Sequence, residues 1–126
     1  MGAVSRLRAG RSAALGIAGE RAAADLLRSR GFGIVGAGFL ARRGELDLVC
    51  RRGDTLFVVE VKARSSDSFG TALAAVDGRK RQALKAAAAE YRALAEWRGP
   101  IRYLVVCVAP REDGGFDAEL IEEPFG

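Results

Sequence analysis

Asp47, Glu60 and Lys62 are the residues of this chain whose types and spacing could do chemistry. They lie on two otherwise apolar runs, ELDLVCR and TLFVVEVKAR, within the stretch GELDLVCRRGDTLFVVEVKARSS. Two carboxylates brought together offer hard oxygen donors of the kind that bind Mg²⁺ or Mn²⁺, and the chain has no histidine to recruit zinc. A lysine two residues beyond the second carboxylate projects from the same face of a strand. Its ammonium could orient a water or stabilise charge developing on a phosphoryl group. Glu20 offers a third carboxylate, and Glu20, Asp47, Glu60 and Lys62 together carry a formal charge of −2 that one divalent ion would neutralise. Metal-assisted hydrolysis of a phosphodiester needs such a set.

The elements that must position these groups follow from the letters around them. Gly53-Asp54 suits a two-residue type II′ hairpin loop, with glycine at its first position. That register sets Asp47 across from Glu60 and Glu45 across from Lys62, all on one face. Two carboxylates about 5 Å apart repel by about 3 kcal/mol at an effective dielectric near 20, so a cation is expected between them. Phe57, Val59 and Val61 take one face of the second run, and Leu56 and Val58 share the other with Glu60 and Lys62. A strand apolar on both faces is interior. The competing reading is a plain Glu45–Lys62 ion pair, with Asp47 and Glu60 facing water at a strand end.

A helix is expected from about Leu15 to Arg30, ended by Gly31, with Glu20 falling between Ala24 and Leu27 on its core-facing side. FGIVGAGFL reads as a glycine-broken first strand. After the polar SSDSFG segment, a helical stretch from about Thr71 restarts behind Asp77 and runs to Arg98, where Gly99-Pro100 stops it. Its apolar stripe is Leu84, Ala87, Ala88, Tyr91 and Ala95, and its basic stripe is Arg81, Lys85 and Arg92. Tyr91 and Trp97 could stack on bases, but their helical spacing fits core packing or a helix end better. IRYLVVCVA, apolar on both faces, reads as a central strand, and a weaker strand covers about Phe116 to Glu122. The order helix, three strands, helix, strand, strand is that of a mixed α/β sandwich. Residues 1–12 read as a flexible basic tail and 13–126 as a single domain.

Bulk properties narrow the function classes. A chain of 126 residues, 49% hydrophobic and 29% charged, is long enough for one core and ordinary for a globular domain. The net charge of +4, rich in arginine, favours an anionic partner such as nucleic acid. Cys50 and Cys107, each set among apolar residues, suit a reducing cytoplasm. No apolar run reaches the ~20 residues that span a bilayer, and no glycine loop or nucleophile pair points to a small-molecule cofactor.

GIAGE at 16–20, RRGELDLV at 42–49, FVVEVKAR at 57–64 and FGTALAAVDGRKRQAL at 69–84 together resemble the YraN-like family of uncharacterised bacterial proteins. That family is related to Holliday junction resolvases within the restriction-endonuclease-like, PD-(D/E)xK superfamily. The resemblance runs from about Gly16 to Val108. It implies a three-layer sandwich with a mixed central sheet flanked by helices and a nuclease core. Where the family commonly has Asn-x-Arg before the hairpin, this chain has Gly38-Phe39-Leu40, and the family's C-terminal histidine is missing.

The expectation is therefore a Mg²⁺- or Mn²⁺-dependent endonuclease acting on DNA, with branched recombination or repair intermediates as the substrates the resemblance implies. Asp47 and Glu60, with the Val61 carbonyl, would hold the metal. Lys62 would orient the attacking water, and Glu20 would complete the metal shell or position a second ion. Arg43, Arg64, Lys80, Arg81 and Lys85 would contact backbone phosphates. The alternative is a non-catalytic nucleic-acid-binding or assembly module that keeps the scaffold. A homodimer is expected by fold-level analogy alone.

Overall fold

The computed structural model describes residues 13–63 and 78–122, with side chains from residue 17 onward. Among them one five-stranded sheet has the order β1-β2-β3-β4-β5, formed by β1 (Gly33–Leu40), β2 (Glu45–Arg52), β3 (Thr55–Ala63), β4 (Ile101–Pro110) and β5 (Phe116–Glu122). Helix α1 (Ala13–Ser29) precedes β1, and α2 (Gly78–Ala95) joins β3 to β4. That crossover makes β3 and β4 parallel, while every other neighbouring pair is antiparallel. The helix-strand order expected from the sequence is the one observed, in a mixed α/β sandwich.

Alternation along the central strands sends side chains to two cores. Leu48, Cys50, Phe57, Val59, Val61, Leu104, Val106 and Val108 pack with Ala23, Ala24 and Leu27 of α1. On the other face Val49, Leu56, Val58, Val105 and Cys107 pack with Leu84, Ala87 and Ala88 of α2. Each fully buried Val or Leu contributes about 1.5–3 kcal/mol relative to exposure, so these two stripes bind the helices to the sheet.

The central hairpin obeys its loop. Gly53 has φ 66 and Asp54 does not enter the left-handed region, as a type II′ turn requires. Register then runs from Arg52↔Thr55 to Leu48↔Val59. There the regularity stops. Leu46 and Leu48, two apart, should share a face, yet Leu46 packs on the α2 side and Leu48 on the α1 side. Their partners on β1, Phe39 and Ala37, divide in the same way about Gly38, whose φ of 66 lets the chain turn. Asp47 sits at this break.

Both helices end on left-handed residues. In α1, Gly31 (φ 89) bonds back to Arg28, and Phe32 N–H reaches the Leu27 carbonyl at 3.0 Å. In α2, Glu96 (φ 55) takes the glycine's place, and Trp97 N–H reaches the Arg92 carbonyl at 3.0 Å. The helix therefore stops at Ala95 rather than running to Arg98 as expected from Gly99-Pro100. The expected helical start near Thr71 lies outside the described residues. No described helix is long and apolar enough to cross a membrane.

Candidate functional site

The break in β2 frees the Asp47 side chain from simple alternation, and its carboxylate turns to β3. Val61 N–H donates to Asp47 Oδ2 at 2.8 Å, just past the last paired residues of the ladder. The bond fixes the carboxylate between two strands with the residue only 3% exposed. The Val61 backbone thus meets Asp47 through its N–H; the carbonyl expected to help a metal belongs to the same stretch of β3.

Glu60 projects to the α2 face, its strand position paired with Val105 of β4 in the α2-side core. It is 1% exposed, the less exposed of the two charged residues buried among those described. Lys80 Nζ of α2 lies 3.2 Å from Glu60 Oε2, and Lys62 Nζ lies 3.7 Å from the same oxygen. Neither carboxylate oxygen receives an aligned hydrogen bond from the described residues, so the two ion pairs carry the compensation. An ammonium at that range attracts a carboxylate by about 5 kcal/mol at an effective dielectric near 20. Removing the carboxylate from water costs several kcal/mol. With the repulsion of Asp47 added, the raising effects outweigh the attraction, and the carboxyl titrates above its ordinary range. Burial first and the neighbouring Asp47 charge second push the Glu60 carboxyl up from 4.5 to about 7, against the pull of Lys80 and Lys62.

The ladder ends before the expected Asp47↔Glu60 and Glu45↔Lys62 pairs, yet the Asp47 charge acts on Glu60, Lys62 lies 3.7 Å from it, and both acids are buried instead of left at a wet strand end. Their hard oxygens suit a Mg²⁺ ion that keeps several waters and takes one or two protein carboxylates. Glu60 Oε1, which neither lysine ion pair engages, fits that use. Among the described residues, however, no three His, Cys, Asp or Glu side chains come close enough to hold a metal. Glu20 stands half-buried on α1, between buried Gly19 and Ala23, in the layer opposite the one Glu60 faces. A Cβ on its neighbour Gly19 would come 3.2 Å from Val108, which shows how closely α1 lies on β4.

The expected phosphate contacts divide. Arg43, Arg81 and Lys85 are exposed, and Arg64 lies outside the described residues. Arg43 belongs to the β1–β2 loop, which is pinned to α2: Arg42 N–H donates to Glu90 Oε2 at 3.1 Å, and a Cβ on Gly44 would come 3.5 Å from Ala83. Lys80 is placed inward, on Glu60. Sequence reasoning missed this role although the signal was present. Lys80 precedes Leu84, Ala87, Ala88 and Tyr91 by four, seven, eight and eleven residues, which is the spacing of the buried stripe. Arg92, from the basic stripe, donates to the Trp97 carbonyl at 3.1 Å and so closes the helix end. Trp97 Nε1–H donates to the Pro100 carbonyl at 3.0 Å, and the Tyr91 ring meets Phe39 edge-on at 5.2 Å. Both aromatics pack at the core and the helix end.

Fold and site define a mixed α/β sandwich protein with an interior acid pair flanked by two lysines. The chain belongs to the uncharacterised protein family UPF0102, whose model matches residues 19–108, a span that contains Glu20, Asp47, Glu60, Lys62 and Lys80. It is similar to a UPF0102 protein of Symbiobacterium thermophilum, 38% identical over 112 residues that cover 88% of this chain and 95% of that one. A UPF0102 protein of Ectopseudomonas mendocina is 42% identical over 113 residues, covering 88% and 93%. One of Pseudomonas fluorescens is 41% identical over 97 residues, covering 75% and 80%.

Proposed function

We propose that this protein is a metal-dependent nuclease that hydrolyses DNA phosphodiester bonds, with branched recombination or repair intermediates as its substrates. The observation that carries the reading is the buried Asp47 and Glu60 pair with the Lys62 ammonium 3.7 Å from Glu60. A fold gains no stability from placing two acids and a lysine in its interior when apolar residues of similar size would serve. Function is the better account of the cost.

Asp47 and Glu60 would hold a Mg²⁺ or Mn²⁺ ion, which when bound supplies Lewis-acid polarisation of the phosphate and a water of lowered pKa. Asp47 is oriented for this by the Val61 N–H, which holds its carboxylate in one rotamer. Glu60, at the wall of the α2 layer, keeps bulk water from its side of the site. Lys62, 21% exposed, reaches from the strand toward solvent and can meet the charge that develops on a phosphoryl oxygen. Arg43, Arg81 and Lys85, exposed on the β1–β2 loop and on α2, would meet the DNA backbone.

The second reading, a nucleic-acid-binding module without catalysis, draws on the Lys80 and Lys62 ammoniums that already match Glu60, and on the Gly38-Phe39-Leu40 segment. One assay separates the two. Purified protein is incubated with linear, single-stranded and four-way branched DNA in Mg²⁺, Mn²⁺ or chelator, beside Asp47→Asn and Lys62→Ala. Asp47→Asn is preferred to alanine because its amide oxygen can still accept from Val61 N–H, whereas alanine would leave that buried donor unmet at about 1–3 kcal/mol. The nuclease reading expects metal-dependent cleavage that falls at least a hundredfold in both variants. Cleavage equal in all three proteins would overturn it, and salt-sensitive binding with no cleavage would favour the module.

A further inference from the structure

Lys80 stands where nothing about helix stability would put it. It is the third residue of α2, in a first turn that contains no acid, where the helix's positive end disfavours a cation. It lies on the helix's buried stripe with its side chain 35% exposed and its ammonium on the buried Glu60 carboxylate. Its ammonium and that of Lys62 converge on a single atom, Glu60 Oε2, at 3.2 and 3.7 Å.

We propose that Lys80 is a built-in, displaceable counter-ion for Glu60: it holds the carboxylate while the divalent ion is away and yields its place when the ion binds. The inference rests on the metal-binding reading given above and extends it to how the site is filled. Charge favours the exchange. With Asp47, Glu60, Lys62 and Lys80 all ionised the cluster is neutral, and a divalent ion added to it would leave a net charge of +2 in an interior position. Withdrawal of one ammonium would lower that charge. Lys80 is better placed to withdraw than Lys62, which is 21% exposed and set within β3, where it pairs with Cys107 of β4. A long flexible side chain at a helix start can swing outward without moving the backbone. Its released ammonium then lies on α2 beside exposed Arg81 and one turn from exposed Lys85, where it adds a contact for the phosphate backbone of a bound nucleic acid. Metal occupancy and nucleic-acid affinity are thereby coupled through one side chain.

The test measures Mn²⁺ binding to the full chain by calorimetry and by loss of the free-ion electron paramagnetic resonance signal. Wild type is compared with Lys80→Met, Glu60→Gln and Arg79→Met, the last removing the same charge from an exposed neighbour. The expected result is binding about tenfold tighter in Lys80→Met, a coupling of ordinary size between two sites. Arg79→Met should match wild type, and Glu60→Gln should bind at least tenfold more weakly. A second measurement needs no variant: brief acylation of wild-type lysines, read by mass spectrometry, should label Lys80 severalfold faster at saturating Mn²⁺ than in chelator. Binding to wild type that is lost in Glu60→Gln, but is not tightened in Lys80→Met and leaves Lys80 labelling unchanged, would overturn the exchange while the metal reading stands. Absence of Mn²⁺ binding in both wild type and Lys80→Met would overturn both.

Discussion

Glu60 is the residue on which the energetics of the site turn. Its carboxyl is raised to about 7 because burial and Asp47 on β2 outweigh Lys62 on β3 and Lys80 on α2. In the unfolded chain the same group returns to its ordinary value of 4.5. Between those two pH values the folded protein holds a proton that the unfolded chain has released, so raising the pH favours unfolding. The stabilising protonated form is fully present below about 4.5 and is lost as pH rises through about 7. A tenfold change in an acid's ionisation constant corresponds to about 1.4 kcal/mol, so the loss is on the order of 3 kcal/mol. Glu60→Gln has nearly the same shape and no titration in this range. It should flatten this part of the pH dependence and make the metal-free protein more stable than wild type at pH about 8, with little difference near pH about 5. Denaturant midpoints measured in chelator at several pH values check this. Parallel curves for the two proteins would show that the lysines keep Glu60 ionised throughout. The identity of the acid pair was legible from residue types and spacing, because charge inside an apolar run is itself anomalous. The Asp47 hydrogen bond to Val61 was not, since it depends on a break in alternation that begins across the ladder at Gly38.

At the scale of elements, the end of α2 shows what residue types alone do not reveal. Gly99-Pro100 reads as a stop, and the helix ends four residues earlier at Ala95. Glu96 adopts φ 55 because the next residues close the helix by other means: Trp97 N–H bonds the Arg92 carbonyl, Trp97 packs against Gly99, and Arg92 caps the Trp97 carbonyl. A glutamate gives no sign of this conformation, whereas Gly31 at the equivalent position of α1 announces it. L-residues other than glycine lose about 1–2 kcal/mol in the left-handed region. Glu96→Gly should therefore raise stability by about 0.5–1 kcal/mol, the gain being reduced by glycine's greater freedom in the unfolded chain. Thermal unfolding compares the two, and a lower midpoint for Glu96→Gly would mean that the Glu96 side chain makes a compensating contact. The hairpin, by contrast, was legible in full register from Arg52 to Leu48, because a two-residue loop leaves strand pairing no freedom. Gly99 has no such substitution open to it. A Cβ there would stand 2.7 Å from the Asp54 carbonyl and 2.9 Å from the Trp97 ring.

For the whole molecule, the sequence displayed the order of elements and the central strands, since runs apolar on both faces can only lie between two layers. It could not show which core each cysteine enters. Cys50 belongs to the α1 core and Cys107 to the α2 core, on opposite faces of one sheet, and both are fully buried. The two thiols are thus reporters of the two layers. Burial pushes the Cys50 thiol up to about 12, so at neutral pH almost none of it is the reactive thiolate. Modification has to wait for an opening. β3 and β4 contribute side chains to both cores, so separating either helix exposes apolar surface on strands that the other helix still covers. That sharing predicts one cooperative transition. Labelling with a maleimide across a denaturant series, read peptide by peptide, should give Cys50 and Cys107 the same opening free energy and the same denaturant slope. If Cys107 reacted at lower denaturant than Cys50, the α2 layer would open by itself, taking Lys80 away from Glu60 while the α1 layer and the strand bearing Asp47 stayed folded.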